Sequence, residues 1–172
     1  NDVQSIAVTP SDQNGDGEFD IYVGGDFTEA GGISANRIAK WDGFSWSALG
    51  SGITGPGSYV KSLAVSGTDL YVGGVFTTAG GISVNNIAKW DGSSWNTLGL
   101  GLNNFVDAVA VSGTNLYVGG GFTTAGSLPT NRMAIWDGAN WSVNSTTANN
   151  GINGLVNSLA VSGSDIYVGG SF

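Results

Sequence analysis

The chain contains no cysteine and no histidine. Thiolate nucleophiles, imidazole bases and the usual zinc ligands are therefore excluded. The missing cysteine leaves the compartment open, since it suits a reducing cytosol and equally a bacterial surface protein. Positive charge is scarce: Arg37, Lys40, Lys61, Lys89 and Arg132 are the five basic residues against 13 acidic ones, for a formal net charge of −8. Binding of nucleic acid depends on clustered Lys and Arg, so nucleic acid is excluded as an expected partner, and anionic membrane surfaces are disfavoured for the same reason. No apolar run approaches the roughly 18 residues of a membrane span. Asn1 is not an initiator Met and no signal peptide precedes it, so the chain is expected to be processed, cropped or part of a longer one.

What is abundant is glycine, 30 residues in 172, well above the usual frequency of about 7%. Aromatic residues at 10% supply enough apolar surface for a packed core and argue against a disordered tract. Together these imply a compact, turn-rich, all-β chain.

The chain also repeats itself. The tetrapeptide YVGG begins at Tyr22, Tyr71, Tyr117 and Tyr167, at spacings of 49, 46 and 50 residues. WDG follows at Trp41, Trp90 and Trp136, each with a second tryptophan five residues on, at Trp46, Trp95 and Trp141. Within one unit, VKSLAV and DLYVGG are β-rich runs joined by SGT, which predicts a hairpin. After the looser FTTAGGISVN come NIAKWDG and SWNTLGL, a second pair joined at Asp-Gly, a dipeptide that readily supplies the positive φ of a tight turn.

Each unit is thus expected to be four antiparallel strands. Hydrophobicity runs on through SLAV and LYV, as in a sheet covered on both faces. Such small sheets must stack on copies of themselves, and radial stacking gives a β-propeller with these units as blades. The expected divisions are blade 1 at about residues 1–52, blade 2 at 58–101, blade 3 at 104–147 and a half blade at 154–172. Since propellers typically have four to eight blades, further blades of the same longer chain are expected. Assembly from two chains is the weaker expectation, because two copies would still lack the outer strands of the half blades.

A hydrophobic run ending in Gly73-Gly74, then an aromatic-containing third strand, then a Trp opening the fourth (Trp95) resembles kelch repeats and the galactose-oxidase-type propeller. The resemblance covers the whole chain. The pattern YVGGxFTTAGG…NxIAKWDGxxW departs from kelch in its long loop between the second and third strands, and is similar to repeats of large secreted bacterial proteins. That resemblance implies a secreted or cell-surface location.

One turn differs from its three counterparts. From the last Val of the first strand to the Tyr of the second the distance is six residues in three units, but fourteen from Val8 to Tyr22. The surplus lies in SDQNGDGEFD, which reads D-x-N-x-D-G-E-x-D from Asp12. Oxygen ligands at positions 1, 3, 5 and 9, a main-chain carbonyl at 7 and Gly17 at the sharp bend match what Ca²⁺ requires of a short loop. The candidate metal ligands are Asp12, Asn14, Asp16, the Glu18 main-chain oxygen and Asp20. Position 12 is Val23, so the bidentate Glu of an EF-hand is missing. The loop resembles the calcium loops of the FG-GAP blades in integrin α-subunits, which also link the first two strands of a blade. Calcium is therefore the one expected cofactor.

Other candidates have structural explanations. Asp42, Asp91 and Asp137 are accounted for by Asp-Gly turns rather than by a ring of catalytic acids. The paired tryptophans fit packing between sheets better than sugar-stacking platforms, and Asn36, Asn85 and Asn131 fit the satisfaction of loop backbone. Arg37, Asn86 and Arg132 vary at one repeat position, as do Glu29, Thr78 and Thr124, and Lys40, Lys89 and Ile135. Variation of this kind predicts exposure on a ligand-binding loop face. Asn140 and Asn144 head glycosylation triplets, which chance explains in so Asn-, Ser- and Thr-rich a chain.

The expected function is a non-enzymatic secreted or cell-surface binding or structural module of adhesion type, with a protein or glycan ligand. The alternative is a carbohydrate-active propeller enzyme or lectin-like glycan binder. An enzyme of that kind needs paired, convergent carboxylates, and Asp107 is the main acid that is neither a repeated turn residue nor part of the calcium loop.

Overall fold

A computed structural model describes residues 2–10, 17, 19–143 and 152–172. Among them the regular elements are all strands. Three four-stranded antiparallel sheets and a final two-stranded hairpin follow one another along the chain. The first sheet comprises Asp2–Val8, Ile21–Asp26, Ile38–Trp41 and Trp46–Ala48; the second Tyr59–Ser66, Asp69–Val75, Ile87–Trp90 and Trp95–Asn96. The third comprises Val106–Ser112, Asn115–Gly120, Met133–Trp136 and Trp141–Ser142, and the hairpin Leu155–Ser162 and Asp165–Ser171. In each sheet these strands are hydrogen-bonded in their order along the chain. No sheet among the described residues closes on itself.

The turns follow from local chemistry. In each WDG the aspartate accepts two main-chain N–H groups: Asp42 from Phe44 and Ser45, Asp91 from Ser93 and Ser94, Asp137 from Ala139 and Asn140. The glycine that follows takes the left-handed conformation, with φ of 96°, 96° and 101° at Gly43, Gly92 and Gly138, which a Cβ would disfavour. The segment expected to be loose between the second and third strands is more ordered than its sequence implied. It forms a separate ribbon of two-residue strands in each of the three units, for example Glu29–Ala30 against Ile33–Ser34. A Gly-Gly pair turns the first two ribbons, and a Cβ on Gly31 or Gly80 would come within 2.1 or 2.2 Å of Trp46 or Trp95. The indole thus packs where only hydrogen can sit.

Successive sheets stack face to face, and period-2 alternation divides each strand between its two neighbours. Leu70 and Val72 join a core with Tyr22, Ile38 and Leu49 of the first sheet, whereas Tyr71 joins Val106, Val109 and Leu116 of the third. Both faces of the second sheet are therefore buried, as the unbroken hydrophobicity predicts. Each fully buried aliphatic side chain contributes about 1.5–3 kcal/mol.

Close approach is possible because the first glycine of each YVGG has no side chain. A Cβ on Gly24, Gly73 or Gly119 would lie 2.4, 2.5 or 2.3 Å from Cγ1 of Val60, Val106 or Val156 in the following sheet. A serine on each of the first two sheets also crosses the junction, the Ser5 hydroxyl accepting from Leu63 N–H and that of Ser62 from Val109 N–H, both at 3.0 Å.

Candidate functional site

The long turn has a well-defined base. Thr9 and Asp20 close it, with Thr9 N–H donating to Asp20 O at 3.0 Å and Asp20 N–H to the Thr9 hydroxyl at 3.1 Å. This pair occupies the place of Ser66 and Asp69, which pair in register in the second sheet. Ten residues, 10–19, thus span a gap that Gly67 and Thr68 span alone. Asp12, Asn14, Asp16 and Glu18 lie outside the described residues.

Asp20 is described, and it is buried beside a lysine. It is 2% exposed, and its Oδ2 lies 2.8 Å from Lys40 Nζ. Among the described residues no hydrogen bond of acceptable direction reaches that oxygen, and the ammonium balances its charge. The second sheet repeats the arrangement without any long turn, Lys89 Nζ donating to Asp69 Oδ2 at 2.9 Å. In the third sheet Asn115 and Ile135 take these two places, so both charges are gone together. The carboxylate at the ninth loop position is thus held by a lysine that sequence reasoning left unpaired.

Tyr22 and Tyr71 stand directly opposite Lys40 and Lys89. Burial raises the pKa of both hydroxyls; the neighbouring lysine works against the shift and the neighbouring aspartate adds to it. The Lys89 ammonium is held above its ordinary value by its hydrogen bond to Asp69. Above Asp20 and Lys40 opens a cavity of about 380 Å³, bounded also by Thr9, Tyr22, Leu49 and Trp90, between the first and second sheets.

A second cavity, about 320 Å³, lies along the first strands and is lined by Tyr59, Lys61, Phe105, Asp107, Leu155 and Asn157. Asp107 Oδ1 lies 3.1 Å from Lys61 Nζ. Every first strand carries a register shift at one place, between Val3 and Ser5, Val60 and Ser62, Val106 and Ala108, and Val156 and Ser158. The extra residues are Gln4, Lys61, Asp107 and Asn157. A bulge frees a side chain from the ladder and re-aims it, so an identical backbone device presents four different polar groups.

The variable loop position has a different role from the one its sequence predicted. Arg37, Asn86 and Arg132 adopt left-handed φ values of 63°, 61° and 63° and are partly buried. Their side chains tie down main chain: Arg37 donates to the Ser58 and Ile53 oxygens, Asn86 to Leu102 O and Arg132 to Gly121 O. The position varies because Arg and Asn reach the same kind of acceptor, and it is a bracket rather than a free ligand contact. Lys40 and Lys89 are likewise partly buried and paired, not free surface residues.

The other structural readings match the geometry. The tryptophan pairs pack with tilted rings 5.5, 5.5 and 5.2 Å apart, and Trp141 Nε1 donates to Leu98 O of the preceding sheet. Asn36 and Asn85 donate to the Ser51 and Leu100 oxygens. The turn hydrogen bonds hold the carboxyls of Asp42, Asp91 and Asp137 below the usual aspartate range, the opposite of what a general acid requires. Among the described residues no three acidic side chains cluster as a metal site would need. No protein-family profile and no curated protein matches the chain.

Proposed function

We propose that the chain is part of a β-propeller that serves as a non-enzymatic, secreted or cell-surface binding module, of bacterial type by its repeat pattern. The reading is supported by sheets that stack face to face in chain order, with the first strands of successive sheets side by side. The observation that carries the binding role is the row of bulged residues. Gln4, Lys61, Asp107 and Asn157 differ while the backbone that presents them is the same. A protein or glycan ligand is placed there, where Tyr59 and Phe105 supply apolar walls and Lys61, Asp107 and Asn157 supply polar groups. Each of the two cavities described above presents one carboxylate, already opposed by a lysine, whereas glycoside hydrolysis needs two in concert.

The acidic loop is proposed as a calcium site that stiffens the first unit. Its donor set of carboxylate, amide and main-chain oxygens suits a hard cation. Asp12, Asn14, Asp16, the Glu18 main-chain oxygen and Asp20 are the proposed ligands. Asp20 adds a buried negative charge at the base, where Lys40 competes for it.

A glycan array run beside a panel of glycosidase substrates tests the binding reading. Retention of ligand without turnover, lost in Lys61→Ala and Asp107→Asn, is expected. Release of reducing sugar from any substrate overturns the non-enzymatic assignment, and the aromatic walls then favour a carbohydrate-active enzyme.

A further inference from the structure

The junction between the first and second sheets has the same frame as the next one and a different edge. Asp20, Tyr22, Lys40 and Leu49 of the first unit correspond to Asp69, Tyr71, Lys89 and Leu98 of the second. Opposite the lysine on the fourth strand stands Ser47 in the first unit and Asn96 in the second. The residue after it is Ala48 in the first and Thr97 in the second. The smaller pair borders the cavity of about 380 Å³ between the two sheets. Trp90, its far wall, stays partly exposed, whereas the equivalent Trp136 at the next junction is buried. Tyr22 packs with Leu70 and Val72, so the cavity lies on the faces that these two neighbouring sheets turn to each other.

The chemistry of the walls selects a guest. Asp20 Oδ2 is buried, and among the described residues no well-directed hydrogen bond reaches it, so it retains acceptor capacity for a donor that enters the cavity. Lys40 Nζ lies 2.8 Å away and is only partly buried; an ammonium carries three N–H donors, more than one carboxylate oxygen takes up. Together the two charges cancel. A cationic guest would meet the ammonium and an anionic one the carboxylate, each at the range where like charges repel strongly. A hydroxyl suits both, donating to the carboxylate and accepting from the ammonium. Ser47, Thr68 and Tyr22 bring further hydroxyls to the same space, and Trp90 and Leu49 give it apolar walls.

We propose that this cavity is a further ligand site, which takes one uncharged sugar residue, its adjacent ring hydroxyls held by Asp20 and Lys40 and its carbon skeleton set against Trp90. The volume falls within the range of about 300–1,000 Å³ usual for small-molecule sites. The site is separate from the groove of Lys61 and Asp107, which runs along the first strands, whereas this cavity reaches the fourth strand of the first sheet at Ser47 and Ala48. It rests neither on the ligand proposed for that groove nor on calcium.

Isothermal titration with the methyl glycosides of glucose, galactose, mannose and N-acetylglucosamine tests it, in chelator so that no cation enters the measurement. At least one of the four is expected to bind. The double variant Ser47→Asn, Ala48→Thr installs the second unit's own residues at the cavity edge and is expected to weaken that binding by about tenfold or more. A melting curve like that of the unmodified chain establishes that the variant is folded, and Ala48→Thr alone, at an exposed position, is expected to act in the same direction. Lys61→Ala and Asp107→Asn are expected to leave the affinity unchanged, which separates this site from the groove. Four glycosides that all fail to bind overturn the proposal, as does binding that the double variant leaves intact or that Lys61→Ala removes. Tighter binding of cationic methyl glucosaminide or anionic methyl glucuronide than of methyl glucoside overturns the assignment to an uncharged guest.

Discussion

The indole Nε1 of Trp95 donates to the main-chain oxygen of Leu49 at 2.8 Å, across the junction between the first two sheets. Trp141 makes the same bond to Leu98 at 2.8 Å. The tryptophan that opens each fourth strand therefore works as a clamp on the preceding sheet as well as an apolar wedge.

Trp95→Phe keeps most of the buried ring and removes the cross-sheet one of two hydrogen bonds to the Leu49 oxygen, which still accepts the Gly52 N–H. The net loss of one such hydrogen bond costs about 0.5–1.5 kcal/mol. Urea denaturation is expected to show a loss in that range, and truncation to alanine a larger one of about 3–5 kcal/mol. An unchanged midpoint for Trp95→Phe sinks the clamp.

Arg37 holds a left-handed backbone conformation, and Asn86 holds it in the second unit with a side chain that bonds the equivalent carbonyl. Arg37→Asn is therefore expected to be tolerated better than Arg37→Val. The gap between them is about 1–2 kcal/mol, the cost of that conformation for a residue poorly suited to it. Equal melting temperatures for the two variants contradict this account.

Stability is expected to fall at both ends of the pH scale. Lys89 and Tyr71 titrate above their ordinary values of 10.5 and 10.0 in the folded protein. Their contribution is thus complete below about pH 10 and is lost as the pH rises through the raised folded values. Asp42, Asp91 and Asp137 are depressed from 3.8, so their contribution is present above that pH and is lost as the pH falls through the lowered folded values. Melting curves from pH 2 to 12 are expected to show both declines. Tyr71→Phe should flatten the alkaline one and Asp91→Asn the acid one.

Calcium separates two carboxylates that lie four residues apart. Added to chelator-treated protein at a hundredfold excess over its dissociation constant, calcium is expected to stabilise by about 2.7 kcal/mol. Asp16→Ala should abolish that gain and leave the melting temperature in chelator unchanged. Asp20→Asn should lower it under both conditions, because Lys40 loses its partner whether or not a cation is present. No calcium response in the unmodified chain removes the site.

Much of this architecture was readable from repetition. YVGG, WDG and the second tryptophan located the strands, since a hairpin turn and period-2 burial depend on neighbours close in the chain. The ribbons at Gly31-Gly32 and Gly80-Gly81 were missed because two-residue strands carry too few side chains to show a period. The brackets at Arg37, Asn86 and Arg132 were missed because variation was taken as a sign of exposure. The pairing of Asp20 with Lys40 was hidden by the inserted loop, which directed attention to the aspartate as the loop's last ligand and away from the lysine. Comparing it with Asp69 and Lys89, which stand twenty residues apart as Asp20 and Lys40 do, is the signal that would have found it.

By itself the sequence determined the all-β character, the repeat and the turns, because glycine, aspartate and tryptophan act on backbone and rings only a few residues away. The tertiary structure alone decided which charges neutralise one another and which bulged side chains line a common groove. Those outcomes depend on contacts between strands dozens of residues apart, and the local pattern of one repeat is the same whether its neighbour is present or not.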